Sequence, residues 1–248
     1  MKHYLDHFEL IRIPETDSTN NAIRNLEQTS DKEFVVVSTE FQTQGKGQRG
    51  NSWESERGKN LLFSISLSPE FLPIQQQFLL SQIISLSILD VFRRRLRKFS
   101  IKWPNDIYWR DRKIGGILIE NDIADGKLAR CIIGVGININ QTEFKSGAPN
   151  PVSLLQVCGM HCKRIHILER ILKNFEEYYR MLQKGEMETI RERYRKSLFR
   201  KKDFHPYQDA NGTFNACLHH VEDNGLIVLE DTEGKLRSYT FKEVSYVL

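Results

Sequence analysis

Cysteine is scarce in this chain of 248 residues, which contains only four. Long apolar runs are missing as well, because the most hydrophobic stretch, from Phe78 to Phe92, is interrupted by serine and glutamine and is too short to cross a bilayer. The first residues contain no hydrophobic segment of the kind that a signal peptide needs. These absences argue against a disulfide scaffold, a membrane helix and a secreted protein. We therefore expect a cytoplasmic protein with no membrane partner.

Several catalytic signatures are also missing. There is no G-x-S-x-G nucleophile motif and no H-E-x-x-H metal motif. No cluster of carboxylates is suited to a protein-held metal pair, so we predict no metal site. Cys158 and Cys162, with His161 between them and His166 nearby, could be imagined as zinc ligands. Because no second cysteine pair accompanies them, we predict reduced, partly buried thiols instead.

The chain carries a small excess of positive charge. Lys and Arg number 36 and Asp and Glu 32, which gives a net charge of +4. This excess is too small to indicate nucleic-acid binding by itself. A nucleic-acid-binding module could use Lys46, Arg49 and the basic run RRRLRK at 93–98. The aromatic residues are not interleaved with that run, and basic residues commonly complement the dipole at the end of a helix, so we expect no DNA partner.

The hydrophobic pattern predicts one large α+β unit followed by a small β unit. After LFRKKDF the helical pattern gives way to short alternating segments separated by glycine-containing turns, which predicts two domains, 1–202 and 203–248. The predicted elements are a helix starting at DSTNNAIRNLE with Asp17 or Ser18 as its cap, a strand at 34–38, a half-buried strand at 61–68, a helix from about 74 to 99, a β-meander over 100–140 with a hairpin turn at Asp125–Gly126, helices after 150, and short strands after 202.

A basic glycine loop lies between the first two predicted strands. Its core, GKGQRG at 45–50, fits the dinucleotide fingerprint G-x-G-x-x-G. That fingerprint requires a helix directly after the loop, whereas here the next element, LLFSISLS, alternates with the period of a strand. The loop also lacks the upstream glycine and the hydroxyl residue of a Walker loop. It therefore connects two strands and is not a dinucleotide-binding turn.

Polar residues collect at the ends of the predicted meander strands, where rigid scaffolds display chemistry. They are Lys102, Asn105, Asp106, Lys113 and Asn138. Amides and ammonium groups bind and orient substrates but do not attack them. A site of this kind suits substrates that react with each other, as in phosphoryl or nucleotidyl transfer.

Four segments together resemble the biotin–protein ligase (biotin–[acetyl-CoA-carboxylase] ligase) family. They are DSTN at 17–20, GKGQRGNSW at 45–53, KWPNDIYWRDRKIGGILIE at 102–120 and GVGININ at 134–140. The resemblance implies an α+β fold with a mixed β-sheet flanked by helices, like the catalytic domain of class II aminoacyl-tRNA synthetases and biotin synthetases. It also implies a small SH3-like β-barrel at the C-terminus.

The same resemblance implies site residues. The catalytic residues would be Lys113, Lys46 and Arg49. Biotin would contact Ser18, Thr19, Asn20, Gln42, Lys46, Gly47, Gln48, Lys113, Gly115 and Gly116. ATP would contact Lys46, Arg49, Trp53, Lys102, Asn105, Asp106, Lys113 and Asn138. Trp53 could equally be a core tryptophan, and Pro104–Asp106 could simply be a good turn.

The implied reaction has two steps. The biotin carboxylate attacks the α-phosphate of ATP, which brings Mg²⁺ with it, and the resulting biotinyl-5′-AMP then acylates a lysine of a biotin carboxyl carrier protein or domain. Many members of the family have arginines where this chain has Lys46 and Gln48, so phosphate recognition falls mainly on Lys46 and Arg49. Since DSTN begins at residue 17, we expect no N-terminal DNA-binding domain. A homodimer is left open.

The nearest rival is a lipoate–protein ligase or octanoyltransferase, families that share the catalytic fold. In those families small and polar residues typically follow the lysine, whereas this chain has IGGILIE after Lys113. The DSTN segment and the GxGxxGxxW element also favour biotin.

The glycine loop provides the first testable prediction. No apolar residue anchors the chain between Phe41 and Trp53, so the free loop has little to offset its ordering entropy. We expect trypsin to cut at Lys46 and Arg49 rapidly without ligand, and biotin with ATP to suppress cleavage more than ATP alone. Mass spectrometry of the early fragments measures this. Equal cleavage under all conditions would contradict a ligand-closed loop.

Overall fold

The computed structural model describes residues 5–26, 30–94, 96–146 and 150–247, with the side chain of Arg49 outside the description. The strands of the large unit are β1 (Phe8–Ile13), β2 (Phe34–Thr39), β3 (Leu61–Leu67), β4 (Phe99–Lys102), β5 (Asp106–Trp109), β6 (Arg112–Ala124) and β7 (Lys127–Ile137). Its helices are α1 (Thr19–Arg24), α2 (Phe78–Arg93), α3 (Leu154–Cys158), α4 (Arg164–Gln183) and α5 (Met187–Ser197). None of the described helices is long and apolar enough to cross a membrane.

The seven strands form one mixed sheet in the order β1-β2-β3-β7-β6-β5-β4. Only β1 and β2 pair in parallel, and α1 is the crossover between them. The consecutive strands β4 to β7 form the predicted antiparallel meander. Asp125 and Gly126 close its hairpin with φ values of 50° and 72°, which is the conformation that a two-residue primed turn requires.

Helices cover both faces of the sheet, so the large unit has three layers. On one face, Ile23 of α1 packs against Val37 and Ile132. On the other face, Phe34 and Val36 contribute to the main core with α2, α4 and α5. The alternation of Val36 and Val37 between two cores follows from the two-residue period of a strand. The prediction of a mixed sheet flanked by helices is confirmed.

The strand β3 is buried at all seven positions, so the prediction that it is half-buried is wrong. Its alternating serines suggested a solvent-facing side, but Ser64 is 0% exposed and Ser66 is 7% exposed. Both lie on the face covered by α1, where the Oγ atoms are occupied: Ser64 donates to Thr19 and Asn20, and Ser66 accepts from Arg130. A strand whose buried serines are hydrogen-bonded therefore has the same alternating sequence pattern as a strand with one face exposed to solvent.

The predicted helix over 74–99 is shorter in the structure. A 3₁₀ turn at Ile74–Gln76 precedes α2, and Phe99 already belongs to β4. Thirteen of the sixteen residues of α2 are buried, because α4, α5 and the sheet surround it. At its end Arg93 donates to Phe99 O and Ser197 Oγ, so this part of the basic run has a structural role.

The C-terminal unit is a five-stranded antiparallel sheet in the order β11-β10-β9-β8-β12. Its strands are β8 (His205–Asp209), β9 (Gly212–Val221), β10 (Ile227–Asp231), β11 (Leu236–Tyr239) and β12 (Ser245–Tyr246). The turn between β9 and β10 contacts the large unit, since Gly225 O accepts from Trp103 Nε1 at 2.9 Å and Asp223 pairs with Arg191. The boundary near Lys202 stays a prediction.

Candidate active site

A cavity of about 520 Å³ lies where the ends of the sheet strands, the glycine loop and the C-terminal unit meet. This volume is within the usual range of small-molecule sites. The large unit contributes Ser18, Thr19, Asn20, Gln42, Lys46, Gly47, Gln48, Asn51, Ser52, Trp53, Lys102, Trp103, Pro104, Asn105, Asp106, Lys113, Gly116, Ile117, Leu118, Gly134, Val135 and Gly136. The C-terminal unit contributes Phe241, Lys242, Val244, Ser245 and Tyr246.

One end of the cavity is polar but uncharged. Ser18 is the N-cap residue of α1, although its side chain makes no capping bond. Thr19 donates from both its backbone N and its Oγ1 to Gln42 Oε1, at 2.8 and 3.1 Å. Ser64 Oγ, which lies beneath them, donates to Thr19 Oγ1 at 2.8 Å. The result is a preorganised row of hydroxyl and amide groups at the start of a short helix.

Asn20 is held rigidly beside this row. Its Oδ1 lies 2.6 Å from Ser64 Oγ, and its Nδ2 donates to Glu120 Oε2 at 2.7 Å. The side chain lies directly over the backbone of Gly134, where an added Cβ would be 2.2 Å from Asn20 Oδ1. Only glycine at position 134 leaves room for this amide.

A second glycine contact forms the floor of the cavity. Gly116 of β6 and Gly136 of β7 are paired in register, and the indole of Trp53 lies over both. A Cβ at Gly136 would be 2.5 Å from Trp53 Cε2, and one at Gly116 would be 3.1 Å from Cζ3. Trp53 Nε1 is buried without a partner among the described residues. Trp53 is therefore a wall of the site that packs on bare backbone.

Lys113 and Asp106 form an ion pair inside the cavity, with Nζ 2.7 Å from Oδ1. Lys113 Nζ also lies 5.8 Å from the centre of the Trp53 ring. Beside them, Asn105 locks the turn before β5: its Nδ2 donates to Ile117 O, and its O accepts from Ile117 N. The turn motif thus fixes the carboxylate that orients the lysine.

Lys102 pairs with Asp106 across β4 and β5 and lies close to two aromatic rings. Its Nζ donates to Tyr108 Oη at 3.2 Å and lies 5.0 Å from the Tyr108 ring and 5.1 Å from that of Tyr246. Burial lowers the pKa of Lys102, while the charge of Asp106 opposes this shift. The ammonium group is thus partly desolvated, a state that favours contact with an anion.

The glycine loop closes the cavity from above. Lys46 Nζ donates to Asn21 Oδ1 at 2.7 Å. Within the loop, Gly47 N donates a hydrogen bond to Asn51 O. Gln48 lines the cavity, and its Oε1 is buried without a described partner. A 3₁₀ turn at Gln48–Gly50 is the only helical element of the loop, which confirms that no α-helix follows directly.

Two of the predicted contact residues are not on the cavity wall. A Cβ at Gly115 would approach Gly136 O, Ile137 and Ile107, so this glycine faces the opposite side of β6 from Gly116. Asn138 is buried, donating from Nδ2 to Val152 O and from N to Ile114 O. It supports the segment beside Lys113 instead of lining the cavity. The predicted role of the Arg49 side chain lies outside the described residues.

Sequence reasoning named no residue of the C-terminal unit as part of the site, because nothing local in 203–248 points to a distant cavity. It also missed Gly134 and Gly136 as contact positions. Their spacing carried a usable signal: two glycines at i and i+2 in a strand leave one face bare. Trp103 was missed too, since a buried tryptophan looks like ordinary core.

A second compartment of about 420 Å³ adjoins the first and shares seven lining residues with it: Gln48, Trp103, Pro104, Asn105, Ile117, Leu118 and Phe241. Its remaining lining comes from the start of α2, from Ile119 and Asn121 of β6, from the 224–226 turn and from Thr240. Every described residue that lines it is uncharged. By contrast, the first compartment has four lysines and one aspartate among its described lining residues.

The described residues contain no group of three or more His, Cys, Asp or Glu side chains able to hold a metal ion. Cys158 and Cys162 are half-buried and form no disulfide among the described residues, and the Sγ atoms of both donate to Met160 O. Their partial burial agrees with the prediction, and their reduced state stays a prediction. Asp106, the one carboxylate of the described cavity lining, is already paired with Lys113.

The cavity thus has uncharged hydrogen-bonding groups at one end and lysines elsewhere on its wall. Comparison with known proteins gives the family: residues 9–138 match the model of the Biotin/lipoate A/B protein ligase family. The chain belongs to this family.

Curated relatives and solved structures agree with the match. The Bifunctional ligase/repressor BirA of Bacillus subtilis is 28% identical over 230 residues, covering 90% of this chain and 70% of that protein. The Biotin--[acetyl-CoA-carboxylase] ligase of Mycobacterium tuberculosis is 28% identical over 66% of this chain and 61% of its own length. The biotin protein ligase of Aquifex aeolicus, solved with biotin and ATP, has the same fold, with a TM-score of 0.79 at 23% identity over 96% of this chain and 97% of that one.

The glycine floor predicts a specific defect. Gly136→Ala should displace the Trp53 indole, because the new methyl group cannot share its space, and should cost about 1–3 kcal/mol of unfolding free energy. Urea unfolding measures the stability, and tryptophan emission reports the displacement. The emission change should disappear in a Trp53→Phe background. An emission change that persists there would mean that another tryptophan moved.

Proposed function

We propose that this chain is a biotin–protein ligase, which activates biotin with ATP and transfers it to a lysine of a carrier protein. The observation that carries the proposal is the polarity of the cavity. Uncharged donors and acceptors from Ser18 to Gln42 occupy one end, Lys46 borders that end through its bond to Asn21, and Lys102 and Lys113 line the rest. Biotin has the matching asymmetry, with a neutral ureido ring at one end and a carboxylate at the other.

In the first step a carboxylate oxygen of biotin attacks the α-phosphorus of ATP. The bond between the α-phosphorus and the bridging oxygen breaks, and pyrophosphate leaves with the electron pair. Both reactants are anions, so the main barrier that the protein can lower is their repulsion. Lys113 neutralises charge where they meet, and Asp106 holds it in place through the 2.7 Å ion pair. Lys46 and Lys102 counter the remaining phosphate charge.

Metal chemistry fits this arrangement only as part of the nucleotide. The described residues offer no multi-carboxylate cage, and Mg²⁺ is commonly held by substrate phosphates with few protein ligands. When bound, it would withdraw charge from the phosphates. We accordingly assign Mg²⁺ to the ATP that enters and not to a protein site.

In the second step the amine of a carrier lysine attacks the acyl carbon of biotinyl-5′-AMP. An amide forms, AMP leaves with the electron pair of the broken anhydride bond, and the amine loses a proton. The cations of the first compartment would repel a lysine ammonium. The uncharged second compartment, which shares walls with the first, offers an approach without that repulsion, and we assign the carrier lysine to it.

The polar end of the cavity favours biotin over lipoate. A ureido ring presents two N–H donors and one carbonyl acceptor, which can use Gln42 Oε1, Thr19 Oγ1 and the nearby amides. The dithiolane ring of lipoate has no comparable hydrogen-bonding groups, so it would cover the hydroxyl of Ser18, which makes no capping bond, without giving it a partner. Leaving buried polar groups unpaired costs about 1–3 kcal/mol each, which is enough to discriminate strongly between the two acids.

One assay tests the proposal directly. Purified protein with biotin, Mg-ATP and a carrier domain should label the carrier, as read on a streptavidin blot. Omitting ATP, or replacing the acceptor lysine of the carrier by arginine, should abolish the signal. In parallel, biotin should raise the melting temperature more than lipoate does. Stabilisation by lipoate alone, with lipoylation of its carrier, would overturn the assignment to biotin.

The role of Lys113 gives a quantitative prediction. Lys113→Ala should lower the rate of biotin-dependent ATP–pyrophosphate exchange about a hundredfold or more, because the variant loses the ammonium group that neutralises charge where the two anions meet. The matched control is Lys127→Ala. Lys127 lies at the exposed tip of the β6–β7 hairpin, and its Nζ is 3.7 Å from Glu70 Oε2. That control should exchange at the wild-type rate. A Lys113→Ala enzyme with wild-type exchange would remove Lys113 from the mechanism.

A further inference from the structure

The last strand of the chain places an aromatic ring in the cavity. Tyr246 belongs to β12 and lines the first compartment. Its ring centre is 5.1 Å from Lys102 Nζ, and the Tyr108 ring lies 5.0 Å from the same atom. The ammonium group therefore contacts the hydroxyl end of a tyrosine of the sheet and lies near a ring of the C-terminal unit.

The position of Tyr246 is fixed from several directions. It pairs with Tyr207 in the β12–β8 ladder, and its ring lies 5.0 Å from the Tyr207 ring and 5.8 Å from that of Phe199. The next residue, Val247, donates from N to Pro206 O and accepts at O from Arg200 Nη1. Tyr246 is thus a rigid element and not a loosely attached tail.

Lys102 depends on these rings for its placement. The charged groups that face it are Asp106, Lys113 and Arg200. Two of the three are cations, and among the described residues none of the carboxylates is within ion-pairing distance of Nζ. The described contacts that hold the ammonium are the hydroxyl of Tyr108 and the two rings. Aromatic faces attract an ammonium group without neutralising it, so its charge stays available to a ligand.

We propose that Tyr246 is a positioning residue, which holds Lys102 towards the nucleotide phosphates and makes the C-terminal unit part of the adenylation site. This inference rests on the proposed ligase function and extends it. Without the ring, water can reach the ammonium from the side of the C-terminal unit, and the flexible lysine stem is free to leave the phosphate position. The ring face carries the effect, and the phenol oxygen is dispensable for it.

The test compares Tyr246→Leu with Tyr246→Phe in the full chain. Tyr246→Leu should raise the KM for ATP about tenfold, the scale of a partly desolvated cation–π contact, while the KM for biotin changes little. Tyr246→Phe should behave as wild type. Phe214→Leu is the matched control, because it removes a ring that also packs on Tyr207 but does not line the cavity. It should leave the KM for ATP unchanged.

A double-mutant cycle identifies the route of the effect. If Tyr246 acts through Lys102, Tyr246→Leu should add nothing to the defect of Lys102→Met, since residues that act as a unit are not additive. Thermal melts identify variants that fail to fold, and Tyr246→Met serves as a second variant. A normal KM for ATP in a folded Leu or Met variant, damage from Tyr246→Phe, or additivity with Lys102→Met would each overturn the proposal.

The role of Tyr246 can be tested whether or not the proposed ligase function is correct. Calorimetric titration with Mg-ATP measures nucleotide binding without any transfer of biotin. If wild-type protein fails to label a carrier but binds Mg-ATP, the ligase proposal fails, and the loss of affinity in Tyr246→Leu still tests Tyr246. If labelling succeeds and Tyr246→Leu binds Mg-ATP like wild type, only the role of Tyr246 is lost.

Discussion

The contact between Trp53 and the bare backbone of two paired glycines organises this site. Gly116 and Gly136 face each other in adjacent strands, and their missing side chains leave a flat surface on which the indole rests. Because Trp53 ends the glycine loop, this contact fixes where the loop returns to the sheet. Any side chain at position 136 would lift the indole and move the loop with it. The shape of the cavity therefore depends on a space that two strands leave empty.

Electrostatics then divide the cavity into functional regions. Four lysines and one aspartate among the described lining residues leave an excess of positive charge, which a folded protein tolerates only where solvent or an anionic ligand compensates it. The ion pair of Lys113 and Asp106 lowers this cost locally while keeping the lysine oriented. The neutral row around Thr19 and Gln42 shows no such excess. A ligand with one neutral end and one anionic end is thereby bound in a single orientation.

The C-terminal unit belongs to the site as much as the large sheet does. Trp103, next to Lys102, donates to Gly225 O, and Phe78 packs so closely that a Cβ at Gly225 would meet its ring at 2.9 Å. These contacts hold the 224–226 turn against the segment that carries Lys102, Asn105 and Asp106. The ring of Tyr246 then reaches the same segment from β12. Two units that are separate in sequence thus share one wall.

The sequence by itself determined the class of fold, the meander, the hairpin at Asp125–Gly126 and most of the polar residues, because these depend on local periodicity, turn chemistry and short motifs. It could not determine the burial of Ser64, the placement of Gly115 and Asn138 away from the cavity, or the end of α2 at Arg93. Those features depend on which neighbouring layers and segments contact these residues, such as Thr19 at Ser64, Val152 at Asn138 and Ser197 at Arg93. The pairing of Lys102 with Tyr246, 144 positions apart, depends on how the last strand folds back over the sheet. Local residue preferences do not encode such contacts, so only the tertiary structure decided them.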